Sequence, residues 1–465
     1  MIRMDVRTVA EITGGHLMQN GASVEFQGIS TDSRTLQPGE LFIPLRGEHF
    51  DGHDYLTQAI KRGAAACLSE EMIGGLLVPV VKVKDTLKAL GDLAAAVRSR
   101  FSGPVFGITG TSGKTTCKEM LASILTSLGP GLKSAGNYNN LIGVPLTLFD
   151  LQEEHRWAVV EMGMSARGEI ARLAEIARPN IGLITNIGAG HLENFDGLSG
   201  VARAKGELFI SLPADGIALI NVDDEEVRIL PVANSVRRVT FGVNRNADVR
   251  ADNITAHNGS VSFNLVIAGA ARRVILPLPG RHNVANALAA AAAAMVAGVG
   301  MQAIVAGLES FQPCPGRMEL IELPGDVIVL EDSYNANPLS VHAALDALHD
   351  LGSPGRRIAV LADMLELGPS APELHQQIGA IVPERADWLF TYGALAEDIA
   401  RGARNAGLDD DRIFSATNHD DLVEHLLGLL EAGDRVLIKG SRGMCMEKVT
   451  AALRASLQKQ AANGN

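Results

Sequence analysis

The run TGTSGKTT, Thr109 to Thr116, sets a lysine and two threonines directly behind a glycine-rich turn. Gly110 and Gly113 let backbone N–H groups come close to an anion, with the small Thr111 and Ser112 between them. Lys114 supplies a mobile cation for β- and γ-phosphates. The Thr115 hydroxyl is placed to ligate Mg²⁺, and Thr116 continues into the helix whose positive end faces the anion. The pattern predicts a nucleoside triphosphate held by its phosphates. The spacing departs from strict GxxxxGK[ST]: Ile108 stands at the first glycine position, Gly107 comes one residue early, and Gly110 lies inside the loop. That fits an ordinary P-loop kinase or GTPase less well but leaves the phosphate site intact. The bland alternative is a glycine turn joining strand to helix.

Other chemistry-bearing side chains follow. Glu161 ends the run WAVVE. Ligands of open parallel sheets sit at strand carboxyl ends, so this carboxylate can reach Mg²⁺; a solvated strand-end Glu is the competing reading. His191, in TNIGAGHLENF, falls in the loop after a strand, where histidine is usually a polar surface residue. Lys205, in ARAKGELF, falls on a helix, where lysine normally faces water. Glu331 and Asp332 leave an apolar strand into SYNANP, offering Tyr334, Asn335 and Asn337. A carboxylate, an aromatic ring and amides suit a ribose and a base, although Asn-Pro is also turn chemistry. Lys439, Ser441 and Arg442 in KGSRG suit a carboxylate or phosphate, against the reading of a basic loop on an acidic protein.

These residues need elements to hold them. Val105, Phe106 and Ile108 read as a buried strand ahead of the loop. Met120, Leu121, Ile124, Leu125 and Leu128 recur at helical spacing behind it. Strand-like runs at Ala158–Val160, Ile181–Ile184 and Ile217–Ile220 alternate with helical stretches, which predicts a parallel sheet covered on both faces. From Arg238 to Leu278, short alternating runs around Asn258-Gly259 predict an antiparallel appendage. Val327–Leu330, Ile358–Leu361, Trp388–Phe390 and Val436–Ile438 predict a second open α/β unit. It has no GxGxxG, so no dinucleotide site is expected there. Breaks at Arg98–Pro104 and Phe311–Gly316 divide the chain into three domains, 1–99, 100–315 and 316–465. The polar tail from Gln458 is expected to fray.

At 465 residues the chain exceeds one core, and 46% hydrophobic with 20% charged residues marks an ordinary globular protein. A net charge of -12 argues against broad binding to nucleic acid or anionic membrane. A polyanionic ligand therefore needs a local basic site. Cys67, Cys117, Cys314 and Cys445 show no CxxC pair or metal-ligand spacing, as expected of thiols in a reducing compartment. MIRMDVRTVAEITGG has no signal-peptide core, and the alanine-rich Ala287–Val299 is too short for a bilayer and reads as a packed helix. A cytoplasmic monomer without membrane insertion is expected.

Taken together, the motifs resemble the Mur ligase family of ATP-dependent amide-bond-forming enzymes of bacterial cell-wall synthesis. The resemblance runs through TDSR (Thr31 to Arg34), TGTSGKTT, GNYNNLIGVPLTL (Gly136 to Leu148) and EMGMSARGEI (Glu161 to Ile170). It continues through TNIGAGHLENF with AKGELF, GRHNVANALAA (Gly280 to Ala290), PGRME, DSYNANP, LADMLELG and KGSRGM. GNYNN-IGVP and DSYNANP favour the branch that adds D-alanyl-D-alanine to UDP-N-acetylmuramoyl-tripeptide. Ala362 departs from the glycine usual in LGDM-ELG, which touches only local turn geometry. The misplaced P-loop glycine is this family's own version.

The resemblance implies an α/β protein of three domains. The first binds the UDP substrate, the central P-loop parallel-sheet domain binds ATP, and a Rossmann-like third domain admits the incoming dipeptide. It further implies that Gly110 to Thr116 hold the triphosphate and that Thr115 and Glu161 ligate one Mg²⁺. His191 would serve a second Mg²⁺, together with Lys205, which aligns with a lysine that relatives carry as a carbamate. Asn283, Arg317, Asp332, Tyr334 and Asn337 would contact ATP. Ser33, Arg34, Asn137, Asn139 and Asn140 would contact the UDP-sugar peptide, with Lys439, Ser441 and Arg442 also on the substrate side. The alternatives are a sibling Mur ligase, a folylpolyglutamate synthase, or, in another class, a nucleotide switch or scaffold.

Overall fold

A computed structural model describes residues 3–18, 21–73, 75–352 and 354–463. Its centre is a nine-stranded sheet. From one edge it runs Leu132–Lys133, Ala158–Glu161, Val105–Thr109, Ile181–Ile184, Ile217–Asn221, Arg237–Gly242 and Val249–His257, all parallel. Ser260–Ile267 and Ala270–Leu276 then pair antiparallel. Val105–Thr109 is buried along its whole length because helices cover both faces, which is why its sequence is apolar as far as Ile108. On one face, helix Lys114–Leu125 lays Met120, Leu121, Ile124 and Leu125 into a core shared with the alanine-rich helix His282–Val296. Small alanines let the two helices approach closely.

Register fixes what meets at the sheet's edge. Glu161 pairs with Ile108, and Ile184 with Thr109, so three neighbouring strands end level. The glycine loop, Glu161 and the segment after Ile184 therefore leave from one rim.

The antiparallel appendage needs correction. Arg237–Gly242 pairs parallel with Ile217–Asn221, and the hairpin turning at Asn258-Gly259 extends the same sheet. Alternation reports one covered face and not strand direction, so it could not distinguish the two. Leu128 also leaves the expected helix. The chain tightens into a 3₁₀ turn at Thr126–Leu128, and Leu128 is exposed.

The third unit is a six-stranded sheet. Its order is Glu319–Leu323, Val327–Asp332, Arg435–Lys439, Arg357–Ala362, Trp388–Tyr392 and Ile413–Ala416. It is parallel except for the first strand. Helix Glu447–Asn463 buries Val449 and Leu453 against it and so stays helical beyond Gln458, where fraying was expected. Residues 464 and 465 of that tail lie outside the described residues.

The first unit carries a five-stranded sheet and a two-stranded pair. Its helix Thr86–Arg98 ends on a buried arginine. Arg98 donates to the carbonyls of Ala177 (2.7 Å) and Arg178 (2.9 Å), clamping the first unit to the second. Among the described residues no helix is long and apolar enough to cross a membrane.

Candidate active site

The glycine loop has the shape an anion needs, and its neighbours explain why. Gly113 caps the following helix at φ +80, and a Cβ there would lie 2.3 Å from Asn286 Oδ1. At Gly110 a Cβ would lie 1.9 Å from Thr185 Oγ1. Both positions exclude larger residues. The segment after Ile184 braces the loop from below. Asn186 Oδ1 accepts from the Ser112 N–H (2.9 Å), its Nδ2 donates to the Ser112 carbonyl (3.0 Å), and Thr185 Oγ1 donates to that same carbonyl (2.7 Å). The first-turn N–H groups of helix Lys114–Leu125 have no carbonyl within the helix and face the cavity. Lys114 folds back so that Nζ donates to the Gly110 carbonyl at 2.7 Å. Burial pushes its pKa down, with Glu161 opposing and Arg317 reinforcing the shift.

Glu161 is buried and contacts both neighbouring segments. Thr115 Oγ1 donates to Oε2 at 2.8 Å, and Asn139 Nδ2 donates to Oε1 at 2.9 Å. Burial alone would raise its pKa, but Lys114, Lys118, the Asn139 hydrogen bond and Arg317 outweigh it and hold the carboxyl ionised below its ordinary value. Among the described residues no three His, Cys, Asp or Glu side chains converge as a ready-made metal cluster. A hydroxyl and a carboxylate in contact at a phosphate loop nonetheless suit Mg²⁺, which takes few protein oxygens and completes its shell with phosphates and water.

Lys205 lies on helix Gly197–Ile210, and its expected solvated position needs correction. It is 3% exposed and lines the cavity, with no hydrogen bond or ion pair among the described residues. Burial first, and then repulsion from Lys114, drives its pKa far below that of ordinary lysine. The shift favours the uncharged amine, which is the chemically useful form. His191 sits in a left-handed turn at φ 56, and its Nδ1 lies 2.6 Å from Glu366 Oε2 of the third unit. His191 holds the Glu366 carboxyl below its ordinary value.

The third unit closes the cavity. The Arg317 guanidinium stacks 4.0 Å over the Tyr334 ring, and Arg442 lies 5.9 Å from that ring. Asn337 caps helix Pro338–Asp350 through Oδ1, and its Nδ2 donates to Ser112 Oγ across the domain boundary (3.1 Å). Lys439 ends its strand buried, bonded to Asp332 and to the Asn335 carbonyl (2.9 Å). Asn283 Nδ2 donates to the Pro279 carbonyl (2.7 Å) while its Oδ1 accepts from Asn286 (2.9 Å).

One cavity of about 710 Å³ gathers Thr111 to Thr116, Asn137, Asn139, Asn140, Glu161, His191, Lys205, Asn283, Arg317, Asp332, Tyr334, Asn337 and Lys439. Asn140 Oδ1 also accepts from the Gly143 N–H at the start of the next helix (2.8 Å). Five expected residues do not line this cavity. Gly110 shapes the loop behind it. Ser441 Oγ accepts from the Leu365 N–H (2.9 Å), and Arg442 pairs with Glu447 (3.2 Å). Ser33 donates to Gln58 (3.1 Å), and exposed Arg34 pairs with Asp32, holding that carboxyl at about 2. Sequence reasoning missed Lys118, Asn186, Asn286 and Glu366. Lys118 had a signal, since it shares the apolar stripe of Leu121 and Leu125 at i, i+3 and i+7.

A phosphate loop, a buried carboxylate at the same rim and a third α/β unit closing over both define a three-domain nucleotide-dependent enzyme. Family models match three stretches: "Mur ligase family, catalytic domain" at residues 25–98, "Mur ligase middle domain" at 108–294, and "Mur ligase, glutamate ligase domain" at 316–442. The chain belongs to the Mur ligase family. It is 40% identical to the UDP-N-acetylmuramoyl-tripeptide–D-alanyl-D-alanine ligase of Escherichia coli K12, over 98% of this chain and 99% of that one. The Bacillus subtilis enzyme of the same name is 37% identical, over 97% and 98%. Crystal structures of MurF align closely. That from Acinetobacter baumannii has TM-score 0.91 and 33% identity over 98% of this chain and 99% of that one. The ADP complex of Thermotoga maritima MurF has TM-score 0.84 and 27% identity over 93% and 98%. A Mycobacterium tuberculosis folylpolyglutamate synthase, at 19% identity and TM-score 0.63, shares the fold alone.

Proposed function

We propose that this chain catalyses the ATP-dependent ligation of D-alanyl-D-alanine to UDP-N-acetylmuramoyl-tripeptide, giving the UDP-linked pentapeptide precursor of peptidoglycan, ADP and phosphate. The observation that carries this reading is the joining, in one cavity, of the phosphate loop, Glu161 and the unpaired Lys205 amine, in a chain similar over its full length to ligases of that activity.

A carboxylate is a poor acyl donor at neutral pH and is repelled by a triphosphate. The loop N–H groups and Lys114 neutralise that crowding, so a carboxylate oxygen of the tripeptide attacks the γ-phosphorus and ADP leaves. The dipeptide amine then attacks the acyl phosphate carbon, and the tetrahedral intermediate collapses with loss of phosphate. The third unit, holding Ser112 through Asn337, keeps water from the acyl phosphate. Bound Mg²⁺ supplies charge neutralisation on the phosphate oxygens. Thr115 and Glu161 would hold one ion, and His191 a second beside Lys205, carried as a carbamate formed from its free amine and CO₂. Asn283, Arg317, Asp332, Tyr334 and Asn337 take the nucleotide. Asn137, Asn139 and Asn140 face the acceptor, with Ser33 and Arg34 at its UDP end and Lys439, Ser441 and Arg442 on the dipeptide side. In this reading domain 1–99 serves the UDP substrate, 100–315 ATP and 316–465 the dipeptide. The reading is of a monomer acting in the cytoplasm.

Mass analysis after incubation with ATP, UDP-N-acetylmuramoyl-tripeptide and either D-alanyl-D-alanine or free D-alanine tests this. The pentapeptide should form, with free D-alanine used at least about a hundredfold less well, because a missing residue leaves polar groups unpaired. Efficient ligation of the single amino acid would assign a sibling activity.

A further inference from the structure

Lys118 lies one turn beyond Lys114 on the phosphate-loop helix and is wholly buried. A lysine that stays charged is rarely taken fully out of water unless its ammonium is bonded and paired. Its Nζ donates to the Ser134 carbonyl at 2.8 Å and to the Gly136 carbonyl at 3.4 Å. It also lies 3.2 Å from Glu119 Oε1 and 3.6 Å from Glu161 Oε2. Glu161 reaches toward the same segment, its N–H donating to Ser134 Oγ (3.1 Å) and its Oε1 accepting from Asn139. Its other oxygen belongs to the ATP side, through Thr115.

The segment 134–140 is irregular, entered from the short strand Leu132–Lys133 and left at helix Gly143–Phe149. Its shape therefore depends on a few bonds, and two of them come from Lys118. No step of the reaction described above uses this amine.

We propose that Lys118 is a positioning residue for ligation: it ties the acceptor-facing segment 134–140 and the Glu161 carboxylate to one turn of the phosphate-loop helix. The acceptor is thereby set in register with the γ-phosphate, a placement to which in-line transfer is sensitive at the scale of an ångström. This rests on the reading that Asn137, Asn139 and Asn140 face the acceptor.

Lys118→Met keeps the unbranched stem out to Cε and removes the charge and donors. The full-length variant is titrated calorimetrically with a non-hydrolysable ATP analogue and Mg²⁺, and then, at saturating analogue, with UDP-N-acetylmuramoyl-tripeptide. Acceptor affinity should fall by about tenfold or more and nucleotide affinity by less than about threefold, the former matching loss of one charge-assisted hydrogen bond. Amide hydrogen exchange should quicken in residues 134–140 and stay unchanged in 110–116. Equal losses for both ligands, or unchanged exchange in 134–140, would overturn the proposal. If Lys118→Met does not fold, Lys118→Arg decides by the same criteria, since it keeps the charge but its longer, planar head cannot reproduce one compact ammonium between the two carbonyls. Asn137→Ala checks the underlying reading separately. Unchanged acceptor affinity there, with fast exchange in Lys118→Met, would remove the acceptor assignment and leave Lys118 as an anchor of segment 134–140 alone.

Discussion

Lys205 shows how burial changes what a residue type means. Its pKa lies below the unfolded value, so between those two values the unfolded chain binds a proton that the folded chain does not. Folding is therefore disfavoured by this residue below the folded pKa and above it. The penalty shrinks as pH rises toward the ordinary lysine value. Lys205→Met should accordingly raise Tm in bicarbonate-free buffer at neutral pH by roughly 2–4 °C, while abolishing ligation. A lowered Tm would show that the amine is stabilised by contacts not seen here. The carbamate is tested on Lys205→Ala, where acetate or formate should restore part of the activity and alkylamines should not. Rescue by amines alone would make Lys205 a simple cation.

At the scale of elements, the rim of the central sheet decides the chemistry. Three strands end level, and the loop after Ile184 supports the phosphate loop through Asn186. Asn186→Ala removes a donor and an acceptor from Ser112, so the loop should lose its shape without loss of the core. We expect kcat/KM for ATP to fall by about tenfold to a hundredfold, roughly 1.4–2.8 kcal/mol of transition-state stabilisation, with little change in Tm. Steady-state kinetics at varied ATP checks this, and a wild-type KM for ATP would refute the bracing role. The strands were legible because buried parallel strands are near-continuous apolar runs, as at residues 105–108. The direction of Arg237–Gly242 was not, because pairing is decided by a neighbour remote in sequence.

For the whole molecule, the third unit shares a buried apolar core with the second, and polar contacts join them nearer the cavity: Asn337 on Ser112, and Glu366 on His191. Glu366 and His191 remain partly exposed, so their pair contributes little to global stability and acts on domain closure instead. Glu366→Ala should increase the radius of gyration of the free enzyme in small-angle scattering, with compaction returning on saturation by ATP and acceptor. Because His191 depresses the Glu366 pKa, the contact is present above the ordinary carboxylate value and is lost as pH falls through the folded value. An unchanged scattering profile in the variant would show that other contacts hold the units together.

The sequence by itself determined the phosphate loop, the alternation that builds two open α/β sheets, and the family. The first two are written in short-range spacing that physics reads locally, as glycine conformation, helix dipole and apolar period; the family came from the resemblance of motifs along the whole chain. Only the tertiary structure decided that Lys205 is buried with no partner among the described residues, that Lys118 joins the phosphate-loop helix to segment 134–140, and that Glu366 reaches His191 from another domain. Charge state and partnership depend on solvent exclusion by residues far away in the chain, and local sequence carries no record of that.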